Sequence, residues 1–410
     1  MTRPSRPRVA VVLSHPTQYY APWFRRIAQR GELDLVVFYL WDFGVQARYD
    51  RDFGQVLQWD IPLLDGYRSE FVANRSPDPG THHVRGLDNP GLVDKLVAQR
   101  PDAIVMFGYT YISHLRVLLS PRLSGIPVLL RGDSHDMARG SGWKAVAKRT
   151  LRRIVFRRFS RFLAVGSANE VYLLASGVPA ARIDRVPHCV DNKRFQDAAG
   201  AASLEAAAWR SELGIADDAI VVLFAGKFEE KKRPLDLLAA FLQLQDRHPA
   251  GGHMALLFVG NGSQEAELMA KAGDRTGRSV FFAPFQNQSG MPKVYACANL
   301  LVLPSLGNGE TWGLAVNEAM NLARPCIVST HVGCGPDLVR DEQNGWLFEA
   351  GNVDALTGVL AKALDAGHPG LAAMGEQARQ RVDAFSFDAA AVALRDAVHS
   401  AIAMHGRSER

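Results

Sequence analysis

Short, nearly continuous apolar runs, rich in valine, isoleucine and leucine, recur along this chain with longer helix-patterned stretches between them. A strand that is apolar at almost every position must be covered on both faces. Strands of that kind, separated by helical crossovers, build parallel α/β sheets. In the first half the runs predict strands at Arg8–Ser14, Leu33–Leu40, Ala103–Phe107, Val128–Arg131 and Phe162–Val165, with another over Asp184–Val190. In the second half they predict strands at Ile220–Ala225, Ala255–Val259, Val280–Ala283, Leu300–Leu303 and Cys326–Ser329. With 410 residues, the chain exceeds what one hydrophobic core ordinarily serves. The expected fold class is therefore α/β, two Rossmann-like doubly wound domains whose strand ends face a central cleft.

The predicted division places a first domain at residues 1–192, a second at 193–385 and a last segment at 386–410. An alanine-rich stretch, Asp197–Asp218, follows the boundary and carries a helical segment through Trp209 and Leu213. In the last segment Ala391, Leu394, Val398 and Ala401 recur at helical spacing, so a helix is expected over Phe387–Met404 with a disordered tail at His405–Arg410.

Apolar residues make up 47% and charged residues 22%, the balance of a globular protein. A net charge of +5 suits anionic ligands such as phosphates and gives no argument for nucleic acid as a partner. Cys189, Cys297, Cys326 and Cys334 form no Cys-x-x-Cys pair or zinc-ligand pattern, which points to isolated thiols in a reduced, cytoplasmic setting. The run Val9–Leu13 is too short for a signal peptide, and no stretch approaches the roughly 20 apolar residues of a membrane span.

Chemistry concentrates in Leu303–Met320. There a strand runs into a glycine-containing loop with Glu310, and a helix opens near Thr311–Gly313 with Glu318 about two turns on. Free N–H groups at a helix start attract anions. Two carboxylates roughly 10 Å apart along a helix bracket an extended ligand, and carboxylates accept paired hydrogen bonds from vicinal hydroxyls. The bland alternative is a pair of ordinary acidic residues near a helix N-terminus. A second element is basic: after the strand Ile220–Ala225 come Gly226, Lys227, Lys231 and Lys232, then a helix opening at Pro234. Lysines at a strand's carboxyl end neutralise a diphosphate; a solvated basic loop is the competing reading. The Gly-x4-Gly-Lys-Ser/Thr pattern of a Walker loop is absent. Gly260-Asn261-Gly262 lacks the third glycine of a dinucleotide fingerprint, with Glu265 in its place.

In order and spacing these segments resemble the retaining glycosyltransferases of family four, which have the GT-B fold and a Glu-x7-Glu motif. Glu310 and Glu318 match that motif, and Asn317–Val328, Gly333-Cys334-Gly335 and Asn344-Gly345-Trp346-Leu347 match the runs that follow it. The resemblance covers nearly all of the second half. Lys227 stands where the family has arginine and Lys232 at its lysine; Gly260, Asn261 and Gly262 resemble its Val-Gly-x-Gly turn. The resemblance implies transfer of a sugar from a nucleotide-diphosphate donor to a glycan, lipid-linked or small-molecule acceptor, with retention of configuration. The setting is polysaccharide or glycoconjugate biosynthesis. No cofactor or metal is implied beyond the donor substrate. It also implies a last helix that packs back on the first domain. In that scheme Glu310, with Thr311, Trp312, Gly313 and Leu314, holds the donor sugar, Glu318 the ribose, and Lys227 and Lys232 the departing diphosphate, with Gly226 beside them. His135 is the nearest match to a histidine that reaches the donor sugar, with Asp133 as the alternative.

The first half departs from the family. Where a Gly-Gly pair is usual, the loop reads His15-Pro16-Thr17-Gln18-Tyr19-Tyr20, which leaves His15 and Gln18 as acceptor-side candidates; His188-Cys189 replaces the usual Asn-Gly. Tyr39, Trp41, Phe43, Tyr49, Phe53, Trp59, Tyr67 and Phe71 form either an acceptor platform or a satellite core. Asp50-Arg51-Asp52 matches a metal-holding Asp-x-Asp only formally, because no apolar strand leads into it. Residues 139–161 contain nine Lys and Arg and no acid, with Trp143, Val146, Leu151, Ile154, Val155 and Phe159 at near-helical spacing. Such a helix either docks on an anionic membrane, making the protein peripheral to its inner face, or packs with a solvated basic side. Three rivals accompany the transferase reading: a nucleotide-sugar epimerase, a non-catalytic nucleotide-sugar-binding module and a nicotinamide oxidoreductase.

Overall fold

Each predicted strand has a counterpart in one of two parallel sheets in the computed structural model, which describes residues 6–50, 55–137, 143–247 and 254–408. The strands in chain order are β1 (Arg8–Leu13), β2 (Asp34–Tyr39), β3 (Arg48–Asp50), β4 (Gln55–Leu57), β5 (Arg68–Phe71), β6 (Ala103–Phe107), β7 (Val128–Gly132), β8 (Arg161–Ala164) and β9 (Ile183–Arg185). The second half supplies β10 (Ile220–Ala225), β11 (Met254–Val259), β12 (Val280–Ala283), β13 (Leu300–Leu303), β14 (Cys326–Ser329) and β15 (Gly345–Phe348). One sheet has the order β5-β2-β1-β6-β7-β8-β9 and the other β12-β11-β10-β13-β14-β15; β3 and β4 form a separate antiparallel pair.

Alternate residues of each central strand feed two different apolar layers, which is why the runs are continuous. In β1, Val9, Val11 and Leu13 pack with Trp23, Phe24 and Ile27, while Ala10 and Val12 pack with Leu92, Leu96 and Val117 on the other face. In β10, Val221 and Leu223 join one layer with Val316, Ala319 and Met320; Val222 and Phe224 join the other with Leu237, Leu238 and Phe241. Each of the larger side chains, valine, leucine, isoleucine, methionine or phenylalanine, contributes about 1.5–3 kcal/mol by burial.

The chain crosses between domains twice. Helix Asn192–Leu213 starts on Asp191, whose carboxylate accepts the Arg194 N–H. Asn192 donates to the Val382 carbonyl at 3.2 Å and accepts from Asn321 at 3.0 Å. The last helix, Phe387–Ser408, returns to the first domain: Ala390, Leu394, Val398 and Ala401 share a layer with Val9 and Trp23. Arg26 and Arg30 of helix Tyr20–Arg30 clamp Asp388 at its start.

Some expectations need correction. The strand foreseen over Asp184–Val190 is only Ile183–Arg185, because Pro187 has no N–H and Arg131 draws the Val186 carbonyl onto its guanidinium at 2.9 Å. The tail from His405 is helical through Ser408. Edge strand β5 was not foreseen: its sequence Arg-Ser-Glu-Phe is polar, since an edge strand needs no apolar cover on both faces.

Candidate active site

Open parallel sheets bind ligands where the strand order reverses, because the two connections there leave on opposite faces and open a crevice at the carboxyl ends. In the second domain that point lies between β10 and β13. Helix Pro234–Arg247, after β10, packs in one layer and helix Leu314–Asn321, after β13, in the other. In the first domain it lies between β1 and β6, just below the His15–Tyr20 loop. The two crevices share one cavity of about 460 Å³, lined from one side by His15, Gln18, Tyr19 and Asp133 and from the other by Gly226, Lys227, Lys232, Glu310 and Glu318.

The two chemistry-bearing loops are bonded to each other. A one-turn 3-10 helix over Glu230–Lys232 ends on Arg233 in the left-handed region (φ 55°), locked by its ion pair with Asp236 at 2.7 Å. The Leu306 N–H donates to the Lys231 carbonyl at 2.9 Å. Lys232 then pairs with Glu310, whose carboxylate also accepts from the Ser305 hydroxyl at 3.1 Å. Glycine is required where these loops close up: Gly260 has φ 143°, and a Cβ there stands 2.1 Å from the Gly226 carbonyl oxygen. The first domain contacts the same loop. Thr311 donates to Asp133 at 2.7 Å, and His135 Nε2 lies 3.1 Å from the Glu310 carbonyl.

Glu318 faces the cavity from within helix Leu314–Asn321 and is only 2% exposed. Tyr295 donates to its Oε2 at 2.7 Å, whereas Oε1 is buried with no partner. Burial pushes the carboxyl up to about 7; the Tyr295 hydrogen bond and the Arg194 charge pull the other way. A buried acceptor beside a cavity and without a protein partner calls for a donor from outside the chain, water or ligand. Gly313, with φ 97°, turns the chain into this helix, whose first amides have no intrahelical acceptor.

On the first-domain side, His15 packs edge-on against Trp41 and Phe43, and its Nδ1 lies 3.0 Å from the Ser14 hydroxyl. His188 stacks on Tyr20 and is held neutral, by burial first and by the Arg131 charge second. At one end the domains clasp: Asn287 donates to the Gln58 carbonyl at 2.7 Å, Ser289 donates to Asp60, and Trp59 meets Phe285.

Of the residues expected at a ligand, His15, Gln18, Asp133, Gly226, Lys227, Lys232, Gly260, Glu310, Thr311, Trp312, Gly313, Leu314 and Glu318 line the one cavity. His135, Asn261 and Gly262 stand behind its wall. His135 is turned to the Glu310 backbone, while Asn261 and Gly262 pack against the Phe228 main chain, 2.6 Å from a Gly262 Cβ at the nearest. Trp312 is buried, its indole N–H donating to Asn317 at 2.8 Å, so its contribution to the wall is largely backbone. Sequence reasoning missed Tyr19, which leaves the first domain to pack on the second domain's core beside Glu318. It also missed Tyr295 and the Asp60–Ser289 clasp; no motif marks any of them. Tyr39 and Tyr67 bond to each other inside the first domain, the satellite-core reading, whereas Trp59 and Phe43 reach the cavity. Residues 51–54, and with them Phe53 and most of Asp50-Arg51-Asp52, lie outside the described residues, as does Arg139.

Two facing, doubly wound parallel domains with the site between them define the GT-B architecture of glycosyltransferases. The family model "Glycosyl transferases group 1" matches residues 205–381, and "Glycosyl transferase 4-like domain" matches 64–189. Two glycosyltransferase family models thus match the chain, one on each domain. A D-inositol 3-phosphate glycosyltransferase of Streptomyces griseus is 33% identical over 212 residues, 50% of this chain and 44% of its own. One of Salinispora arenicola is 31% identical over 235 residues, 55% and 51% of the two chains. The chain thus spans about half the length of the curated relatives it matches. In fold it is similar to Anabaena HepE in complex with UDP (TM-score 0.69, 16% identity, 96% of this chain and 100% of that one). It is also similar to sucrose-phosphate synthase of Thermosynechococcus elongatus (TM-score 0.72, 18% identity, 97% and 100%).

Proposed function

We propose that this chain transfers a sugar from a nucleotide-diphosphate donor to a glycan or lipid-linked acceptor, with retention of configuration. The observation that carries this reading is the unpartnered Oε1 of Glu318 in one cavity with Lys227, Lys232 and the start of helix Leu314–Asn321. The diphosphate lies on the lysines and the helix amides, where the dipole and the ammonium charges stabilise it. Glu318 takes the ribose hydroxyls through Oε1, with Oε2 held by Tyr295. Glu310, steadied by Ser305 and Lys232, faces the donor sugar. As the glycosidic bond breaks, negative charge grows on the leaving diphosphate, and Lys232 and Lys227 oppose it. The acceptor enters from the first domain, past His15, Gln18 and Asp133. Its hydroxyl attacks the face the diphosphate leaves and gives its proton to a diphosphate oxygen. No metal takes part in this scheme.

Structures similar in fold were solved with UDP and with UDP-glucose, which supports a nucleotide-sugar donor without fixing its base here. The test is turnover. Donor consumption is measured with UDP-, GDP- and ADP-sugars against glycan acceptors, and the anomeric proton coupling of the product is read by NMR. An axial donor giving an axial product is expected. An inverted product contradicts the mechanism, and epimerised sugar nucleotide released without an acceptor contradicts the activity.

The membrane reading has its own support. On helix Trp143–Phe156 and the turn after it, Leu151 and Ile154 are 63% and 57% exposed beside exposed Arg153, Arg157 and Arg158. Apolar and cationic groups on one surface match an anionic bilayer, at about 1 kcal/mol per basic residue near the surface. No helix among the described residues is long and apolar enough to cross a membrane. Co-sedimentation with phosphatidylglycerol vesicles is expected at low salt, with loss at 0.5 M salt or in Leu151→Glu/Ile154→Glu. Equal binding to neutral vesicles contradicts it.

A further inference from the structure

We propose that Asp78, His82 and His83 form a binding site for a divalent transition-metal ion of the zinc or nickel type, apart from the sugar-transfer cleft. The three lie in the connection between β5 and β6, and none of them lines the cleft cavity. One ligand atom from each lies within 4.8 Å of the others. His82 Nε2 is 2.9 Å from Asp78 Oδ2, and His83 Nε2 is 3.7 Å from the same oxygen. A tetrahedral ion at about 2.0–2.1 Å from each donor sets neighbouring donors roughly 3.3 Å apart, between the two distances seen. Filling the site draws the His83 ring off the Asp78 main-chain carbonyl, which its Nε2 meets at 3.0 Å, and onto the ion; the donor atoms start within 4.8 Å of one another.

The scaffold is already fixed. Asn74 Oδ1 accepts the N–H groups of Ser76 and Asp88, and its amide donates to the Gly86 carbonyl at 2.8 Å. The Gly80 N–H donates to the same carbonyl. Tyr111 and the Ile112 N–H anchor the Thr81 and Val84 carbonyls, each at 3.0 Å. These contacts hold the ligand-bearing loop against the carboxyl end of β6, so little ordering remains to be done when an ion arrives.

The donor set selects the ion. Two imidazoles and one carboxylate suit zinc, nickel and copper, whereas magnesium and calcium prefer all-oxygen shells. Three protein ligands leave at least one position for water or an anionic group. All four cysteines are buried, so no thiol on the surface competes for a soft ion.

The experiment is calorimetric titration of the untagged full-length chain, stripped with chelator, using zinc chloride and separately magnesium chloride. One zinc ion per chain is expected, with no magnesium binding at the same concentrations. His82→Ala/His83→Ala is expected to abolish the zinc signal, and His83→Gln alone to weaken it by at least about tenfold. The three side chains are half-exposed, so the variants' unfolding temperatures are expected to match the parent's without metal. Absence of saturable zinc binding, or equal binding by the parent and His83→Gln, overturns the proposal. Neither result bears on the transferase reading, which rests on other residues.

Discussion

Replacing Lys232 with alanine is expected to lower kcat by about 10²–10³-fold, equivalent to about 2.7–4 kcal/mol of transition-state stabilisation. Lys232 is the ammonium that the 3-10 turn delivers into the cleft against Glu310, with both side chains largely shielded from water. A charge fixed in such a place acts on the diphosphate most strongly as the bond to the sugar breaks, because that is when the negative charge grows. The interaction is therefore stronger in the transition state than in the donor complex, and kcat falls more than KM rises. Arginine at the same position keeps the charge but spreads it over a planar fork, so Lys232→Arg recovers activity only in part. Steady-state kinetics with thermal unfolding as a fold control make the measurement. A folded Lys232→Ala protein within about tenfold of the parent contradicts the role.

Glu318→Gln is expected to stabilise the protein above neutral pH while weakening nucleotide binding. The carboxyl titrates near 7 in the folded chain against 4.5 as a free group, and burial is the main cause. Below 4.5 both states are protonated and nothing is lost. Between 4.5 and 7 the unfolded chain ionises and the folded one does not, so stability falls by about 1.4 kcal/mol per pH unit, about 3 kcal/mol by pH 7 and no more above it. Glutamine removes that slope. Set against a Tyr295 hydrogen bond of about 1 kcal/mol, a net gain of about 2 kcal/mol at pH 8 remains. A ligand hydroxyl donates better to the ionised carboxylate. Nucleotide affinity of the parent therefore rises as pH increases toward 7 and levels off beyond it. In Glu318→Gln the affinity is about ten-fold lower, from loss of a charge-assisted bond, and flat with pH. Denaturant unfolding at pH 5 and pH 8 and nucleotide titrations over the same range measure both. Parallel stability profiles for the two proteins contradict the assignment.

How much of this was visible in the sequence follows the physics of each element. Central strands such as β1, β10 and β14 announce themselves, since burial on both faces forces every position apolar. The loops after β10 and β13 were legible because glycine, lysine and glutamate stand there in a fixed order, and the topology then put both at one reversal of strand order. β5 was not legible, because an edge strand needs no apolar code. Tyr19 was not legible either: its place beside Glu318 depends on how two domains meet, about 300 residues apart in the chain, and no local pattern encodes that. His135 shows the converse. Its position after β7 matched expectation, yet its ring serves the Glu310 backbone instead of facing the cavity.

The central claim is that a nucleoside diphosphate seats its phosphates between the lysine loop and the start of helix Leu314–Asn321. A structure of the chain with UDP, or with whichever nucleoside diphosphate binds tightest, tests it directly. The account predicts phosphate oxygens within hydrogen-bonding distance of Lys232 Nζ and the amides near Gly313 and Leu314, with ribose hydroxyls on Glu318. A diphosphate seated on any other surface, with Glu318 Oε1 still unpartnered, contradicts it.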